Sequence, residues 1–343
     1  MQEDEQNRQI DKPGHDAGSN DLNRLADTAR EDAGQATAVN TTKAYKADWA
    51  HFARWCRMRG TDPLPPSTEL VGLYLTDLVT PGPGGRPLTV ATLERRLSGL
   101  SWHYAQRGFT LDRRERHIAA VLDEIRRAHA RPPAQKEAVL PEDIIAMVAT
   151  LPFDLRGLRD RAILLLGFAG GLRRSEIVCL DAGREHTPDA GGWVDIEHAG
   201  AILTLHGKTG WREVEIGRGS GPQSCPVHAL ERWLHYSKID FGPLFVRTSR
   251  DGTRALGPRL NNKHVARLIK QTVLASGIRS ERPEAERLLL FSGDSLRAGL
   301  ASSAQVDERL AQKHLGHSTA EMTRRYQRRR DRFRINVTKS AGL

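Results

Sequence analysis

Cysteine is scarce in this 343-residue chain, which carries three: Cys56, Cys179 and Cys225. They are far apart and odd in number, which argues against a disulfide framework. Cys225-Pro226-Val227-His228 has half of a zinc spacing. No second pair follows, so a turn is the better reading and no metal site is expected. Long apolar runs are missing as well. No stretch reaches the roughly eighteen residues of a membrane span, and the first residues lack the apolar block of a secretory leader. The expectation is a soluble, cytoplasmic protein with no membrane partner. No internal repeat is evident. Acidic residues are in deficit, 42 Asp and Glu against 52 Lys and Arg, for a net charge of +10. That imbalance favours a polyanionic partner, but charge alone does not single out nucleic acid.

What is present divides the chain. Residues 1–38 are polar and charged, with too little apolar surface to offset the entropy of ordering, so a flexible tail is expected. The pattern then turns helical. Tyr45, Trp49, Phe52 and Cys56 recur at helical spacing after a cap-like Thr41, and Ser67 precedes Leu70, Tyr74, Leu75 and Leu78. Thr89 opens a third helix with Leu93, Leu97, Leu100 and Tyr104, and Ile118, Val121, Leu122 and Ile125 mark a fourth. This predicts a helical domain over 39–130. Arg131-Pro132-Pro133 starts a linker over 131–138, and a second domain fills 139–343. Helices are expected there at 141–150 and 158–168, around Arg173, and near 226–237, 259–276, 295–304, 306–314 and 319–332. Between 192 and 217 the period changes to two. Residues 201–205 and 213–216 read as strands around Gly207-Lys208-Thr209-Gly210, a small hairpin. The fold class expected is mainly α, in two domains, the second with one small antiparallel sheet.

Several polar residues stand out. Four of the five tyrosines sit in apolar helical patterns that core packing explains. Tyr326 instead lies in Thr323-Arg324-Arg325-Tyr326-Gln327-Arg328-Arg329-Arg330, with seven arginines between 324 and 334. It is either incidental to a solvated basic helix or a nucleophile, since a phenol of pKa about 10 needs cations to stabilise its phenolate. Arg173 follows Gly170-Gly171 and an apolar run, as a structural arginine at a helix start or as a guanidinium aimed at a phosphate. Glu176 orients it or simply occupies the first turn. Lys208 is a solvated hairpin tip or a proton donor to a leaving alkoxide. Gly207-Lys208-Thr209 imitates the end of a phosphate-binding loop, but that motif needs glycine where Ile202 stands, and its flanks are two strands. Taken singly, His317 reads as a polar helix cap, and His314 as surface.

Taken in order, these residues resemble the tyrosine recombinase (phage integrase) family, in the manner of its Cre-like members. Gly171-Leu172-Arg173-Arg174-Ser175-Glu176 is similar to the family's first arginine motif, and Lys208 to its hairpin lysine. Asp294-Ser295-Leu296-Arg297 aligns with the motif usually written His-x-x-Arg. Leu315-Gly316-His317 resembles the next box, with Tyr326 at the nucleophile's usual distance. The likeness covers roughly residues 39 to 335.

The resemblance implies a DNA recombinase. Tyr326 would attack a phosphodiester, leaving a 3′-phosphotyrosyl link and a free 5′-hydroxyl. Arg173, Arg297 and His317 would hold the non-bridging oxygens, and Lys208 would protonate the departing oxygen. No cofactor, ATP or metal is implied. A core-binding (SAM-like) helical domain and the catalytic domain would form a clamp around double-stranded DNA at inverted-repeat sites. A homodimer would occupy each site, with a tetramer in synapsis, at the nucleoid. Arg95 and Arg96 on the third helix, and Lys263 after Asn261-Asn262, lie where Cre-like proteins contact DNA. Phe333, Ile335 and Val337 would dock in a neighbouring protomer. Asp294 departs from the pattern, because the family usually has histidine or lysine there. An anion at that place would repel the phosphate and could pair with Arg297, or it could serve as a helix N-cap. The alternative reading is therefore a DNA-binding protein of recombinase fold with weak or lost catalysis. The Arg297-to-His317 interval also looks short for the family, which implies a tight turn between two helices.

Overall fold

Helix boundaries in the N-terminal half follow their caps. Ser67 and Thr89 both stand in extended backbone, and their hydroxyls accept from the amides of Leu70 and Thr92. Each satisfies an amide that a helix start leaves without a partner. The computed structural model describes residues 39–80, 85, 87–131, 135–184, 187–207, 210–303, 308–317, 319–322 and 324. The expected tail over 1–38 and most of the expected helix over 319–332, from 325 onward, lie outside the described residues. The chain divides into two compact units at the Pro133–Ala134 bond.

The first unit holds α1 (Val39–Met58), α2 (Thr68–Val79), α3 (Val90–Ala105) and α4 (Arg116–His129). Helix α1 starts two residues before Thr41, so that threonine lies inside the helix and does not cap it. Helix α1 packs on α3, and α2 on α4. The apolar stripes meet in one core of Phe52, Trp55, Tyr74, Leu75, Leu97, Leu100, Tyr104 and Ile118. Tyr104 keeps its hydroxyl satisfied there by donating to the Pro63 carbonyl at 2.8 Å.

In the second unit, α5 (Pro141–Ala149) is followed by α6 (Leu155–Ala169), the helix around which the unit is built. Helix α6 begins three residues earlier than its apolar spacing predicts, because Asp154 accepts from the Gly157 amide at 2.7 Å. It packs against α8 (Pro226–Ser237) and α11 (Ser295–Ser303). Between them come α7 (Arg174–Val178), β1 (Leu180–Asp181), β2 (Gly192–Ile196), β3 (Gly200–Gly207) and β4 (Gly210–Gly217). The remaining elements are β5 (Val246–Thr248), β6 (Ala255–Arg259), α9 (Asn262–Ala275), α10 (Glu284–Leu290) and α12 (Glu308–Leu315).

The sheet corrects the expectation of a lone antiparallel hairpin. It has four strands in the order β1-β2-β3-β4, and β1 runs parallel to β2. Only the β2–β3 and β3–β4 ladders are antiparallel. Strand β1 is two residues long, too short to show alternation. A second, two-stranded sheet of β5 and β6 was also hidden, since Gly257 and Pro258 interrupt β6. The predicted helix at 259 therefore starts only after the Asn261 cap. Tyr236 corrects the reading that core packing explains four tyrosines: it is 55% exposed, in the last turn of α8, beyond the face of Val227, Leu230 and Trp233. Among the described residues no helix is long and apolar enough to cross a membrane.

Candidate active site

Two helix endings of the same kind build the site. Helix α6 stops at Gly170, and Gly171 follows with φ +55°. The Gly171 amide donates to the Phe168 carbonyl and the Leu172 amide to the Gly167 carbonyl, both at 3.0 Å. This is the Schellman pattern, in which a left-handed residue lets the last carbonyls be satisfied. Helix α12 ends likewise. Gly316 has φ +62°, its amide donates to Lys313, and the His317 amide reaches back to Gln312 at 3.1 Å. Space as well as conformation demands glycine at both. A Cβ at 171 would fall 2.5 Å from Leu315 Cδ2, and one at 316 would fall 2.6 Å from Arg212 Nε. The chain leaves each stop with a polar residue in hand: Arg173 after one, His317 after the other.

Arg297 joins the two endings. It sits on α11, is 2% exposed, and donates from Nη1 to the Gly171 carbonyl at 2.7 Å and from Nη2 to the Leu315 carbonyl. Both carbonyls lie at helix C-termini, where the macrodipole favours a cation. A planar fork can span both, which a lysine ammonium cannot.

Arg173 occupies the N-cap position of α7 in extended backbone, with its side chain 40% exposed. Glu176 accepts from the Arg173 amide at 2.7 Å and from Arg173 Nη1 at 2.8 Å, so it orients that arginine and caps the helix at once. Burial pushes the Glu176 carboxyl up, but the Arg173 amide, then Arg212 and Arg173, together hold it below the ordinary carboxylate range. Arg212 was missed in the sequence. It ion-pairs with Glu176 at 3.0 Å, and its Nη1 donates to the His314 carbonyl at 2.9 Å. The signal that could have found it is its register: Arg212, Val214 and Ile216 alternate on the face of β4 whose other two members are buried.

His317 is 6% exposed and its pKa is pushed down to about 4, first by burial and then by Arg297, Arg173 and Arg212. At neutral pH it is an uncharged imidazole, able to donate from one ring nitrogen. His314 corrects its surface reading. It is half-buried, its ring nitrogen 3.0 Å from the Ala169 carbonyl at the end of α6.

Asp294 is exposed. Its carbonyl accepts from the Ala298 amide at 2.9 Å, which puts it at the N-cap position of α11, but among the described residues no capping hydrogen bond reaches its carboxylate. Among the described residues no ion pair joins it to Arg297, whose two Nη atoms reach backbone carbonyls instead. Neighbouring Gly293 lies against Arg174, where a Cβ would fall 2.8 Å from Arg174 Cδ.

Arg95 and Arg96 are engaged within their own unit. Arg95 makes a two-pronged pair with the buried Asp48, and Arg96 donates to the Tyr74 hydroxyl at 2.7 Å. Lys263 is exposed in the first turn of α9. Gly207 and Gly210 pair to close the β3–β4 ladder. Lys208 falls between them, outside the described residues, as do Tyr326 and the tail residues Phe333, Ile335 and Val337. Cys225 caps α8, its Sγ accepting from the His228 amide at 3.3 Å. Among the described residues no cluster of His, Cys, Asp and Glu is assembled that could hold a metal ion.

Arg173 and Arg212 on the Glu176 carboxylate, with Arg297 close to the neutral imidazole of His317, make a donor-rich site suited to an anion such as phosphate. Residues 138–332 match the phage integrase family. The integrase/recombinase XerD homolog of Selenomonas ruminantium is 29% identical over 321 residues, covering 92% of this chain and 89% of that protein. Tyrosine recombinase XerC of Myxococcus xanthus is 31% identical over 205 residues, 57% of this chain and 59% of the relative. Among solved structures, the XerH site-specific recombinase in a post-cleavage complex with palindromic difH substrate shares the fold. Its TM-score is 0.53 at 15% identity, over 88% of this chain and 79% of that one.

Proposed function

The chain belongs to the phage integrase family of site-specific recombinases, enzymes that cut and rejoin DNA, and from that premise we propose that its chemistry runs through Tyr326. The phenolate attacks the scissile phosphorus, the P–O5′ bond breaks, and a 3′-phosphotyrosyl link and a free 5′-hydroxyl result. Arg173, Arg297 and the imidazole of His317 stabilise the charge that gathers on the non-bridging oxygens. Lys208 gives its proton to the departing 5′-oxygen. A second strand's hydroxyl then reverses the step. The covalent bond conserves the energy, and the guanidiniums supply the positive charge, so neither nucleotide nor metal is called for. Glu176 aims Arg173.

The observation that carries this reading is the Arg297 staple. One buried guanidinium draws together the chain endings that present Arg173 and His317, residues 144 positions apart in the sequence. In the same reading 39–130 is the core DNA-binding domain and 139–343 the catalytic domain, joined through 131–138. The partner is double-stranded DNA with inverted-repeat sites, bound by a homodimer at each site and a tetramer in synapsis, in the cytoplasm at the nucleoid. Lys263 supports the DNA contact. A cation at a helix N-terminus opposes the macrodipole, and a phosphate there removes the conflict.

A second reading rests on Asp294, an exposed carboxylate on the loop beside Arg174. There the fold binds DNA and catalysis is weak. A duplex nicked beside the cleavage position, which traps the cleaved strand, separates the two. Denaturing gels are expected to show a covalent protein–DNA adduct with the wild type and none with Tyr326→Phe. A wild type that binds the site but yields no adduct would leave the DNA-binding reading in its place.

A further inference from the structure

Arg212 is a charged residue in an apolar register. Opposite Leu205 in the β3–β4 ladder, it follows the direction of the buried Val214 and Ile216, and only 14% of its side chain is exposed. An apolar residue would fill that place without desolvating a cation, so stability alone gives no reason for an arginine. Its contacts supply one. Nη1 holds the His314 carbonyl, and Nη2 lies 3.0 Å from Glu176 Oε1, an ion pair that lacks hydrogen-bond alignment. The guanidinium also fills the space where a side chain at Gly316 would stand, directly before His317.

Glu176 Oε1 is shared, because Arg173 Nη1 donates to the same oxygen at 2.8 Å. A carboxylate paired with Arg173 alone would cancel that arginine's charge where the phosphate must sit. It would also place an anion beside an anion. With Arg212 on the other side, two cations flank one carboxylate and one net positive charge remains. We propose that Arg212 is a positioning residue for DNA cleavage: it offsets the Glu176 charge, so that Glu176 can aim Arg173 without opposing the phosphate. The His314 carbonyl contact adds a second function, holding the turn before His317 against β4. The proposal rests on the strand-cleavage reading above and deepens it.

The test is a charge-compensation cycle. The probe is a nicked duplex carrying an inverted repeat that the wild-type chain selects from a randomised library. Single-turnover cleavage, DNA affinity and thermal melting are measured for wild type, Arg212→Gln, Arg212→Lys, Glu176→Gln and the Glu176→Gln/Arg212→Gln pair. Arg212→Gln is expected to cleave at least about tenfold more slowly, with affinity changed by no more than about threefold. Arg212→Lys, which keeps the cation, falls between it and the wild type. The double variant cleaves faster than Arg212→Gln alone, because the charge left unbalanced is gone. A purely structural arginine would show no such rescue. Wild-type cleavage by Arg212→Gln, a double variant no faster than that single one, or a lysine variant as slow as the glutamine one would each overturn the proposal. If Arg212→Gln does not fold, Arg212→Lys decides against the wild type: measurable cleavage slower than wild type supports the proposal, and a folded, DNA-binding lysine variant that forms no adduct, or one that cleaves as fast as wild type, overturns it. A wild type that forms no adduct would overturn both this proposal and the reading beneath it, whereas an active wild type with an unaffected Arg212→Gln would overturn this one only.

Discussion

At the scale of residues, two side chains have a protonation or charge that bears on the proposed chemistry. His317 is uncharged near neutrality, so in the proposed mechanism it serves as a hydrogen-bond donor and not as a further cation. His317→Asn, which keeps a donor, is expected to retain far more single-turnover cleavage than His317→Leu, which should lose roughly a hundredfold or more. Equal loss in both would assign the charge, not the donor, to catalysis. The same histidine leaves a mark on stability. With its pKa at about 4 in the fold against 6.5 ordinarily, the unfolded chain takes up the proton first as pH falls. The stabilisation is complete above pH 6.5 and is lost as pH drops toward about 4, by at most about 3 kcal/mol. Denaturant titrations across that window should show a shallower slope in His317→Asn. Asp294 is the other residue in question. It is exposed and no ion pair joins it to Arg297 among the described residues, so the handicap proposed for it reduces to repulsion of the phosphate. Asp294→His is expected to raise the cleavage rate several-fold with little change in melting temperature. An unchanged or lower rate would give the aspartate a role of its own.

At the scale of elements, the two glycine stops carry the geometry. Gly171→Ala combines a left-handed conformation, costing about 1–2 kcal/mol for a residue with a Cβ, with a contact 2.5 Å from Leu315. It should lower the melting temperature and slow cleavage together, because Arg173 and the carbonyl that Arg297 holds both move with residue 171. Thermal melts beside cleavage assays check this; full activity would uncouple the stop from the site. Much of this level was legible in advance. Ser67 and Thr89 announced their helices, and Gly171 and Gly316 stood next to the residues that mattered. What was not legible has physical causes. Strand β1 is two residues long, β6 contains glycine and proline, and Arg212 acquires meaning only through a ladder register that local spacing cannot reveal. Arg95 and Arg96 read as DNA-facing, yet the buried Asp48 and the Tyr74 hydroxyl, both distant in sequence, engage them. The pairing of Arg297 with two carbonyls was equally invisible, since backbone acceptors leave no trace in side-chain patterns.

At the scale of the whole molecule, the +10 charge and the family membership converge on the DNA backbone. Affinity should fall steeply with ionic strength, by roughly a thousandfold or more between about 50 mM and about 200 mM salt, if six or more phosphates are contacted. Titrations at several salt concentrations measure it, and a flat response would argue against an extended DNA contact. The nucleophile proposed is Tyr326, and for it the sequence itself offers a decisive assay. Tryptic cleavage after Arg325 and Arg328 releases Tyr326-Gln327-Arg328. Mass spectrometry of the trapped adduct, digested with trypsin and nuclease, should find the nucleotide 3′-phosphate on that tripeptide. A nucleotide on any other residue, or no modified peptide from a chain that cleaves its site, would remove Tyr326 from the reaction.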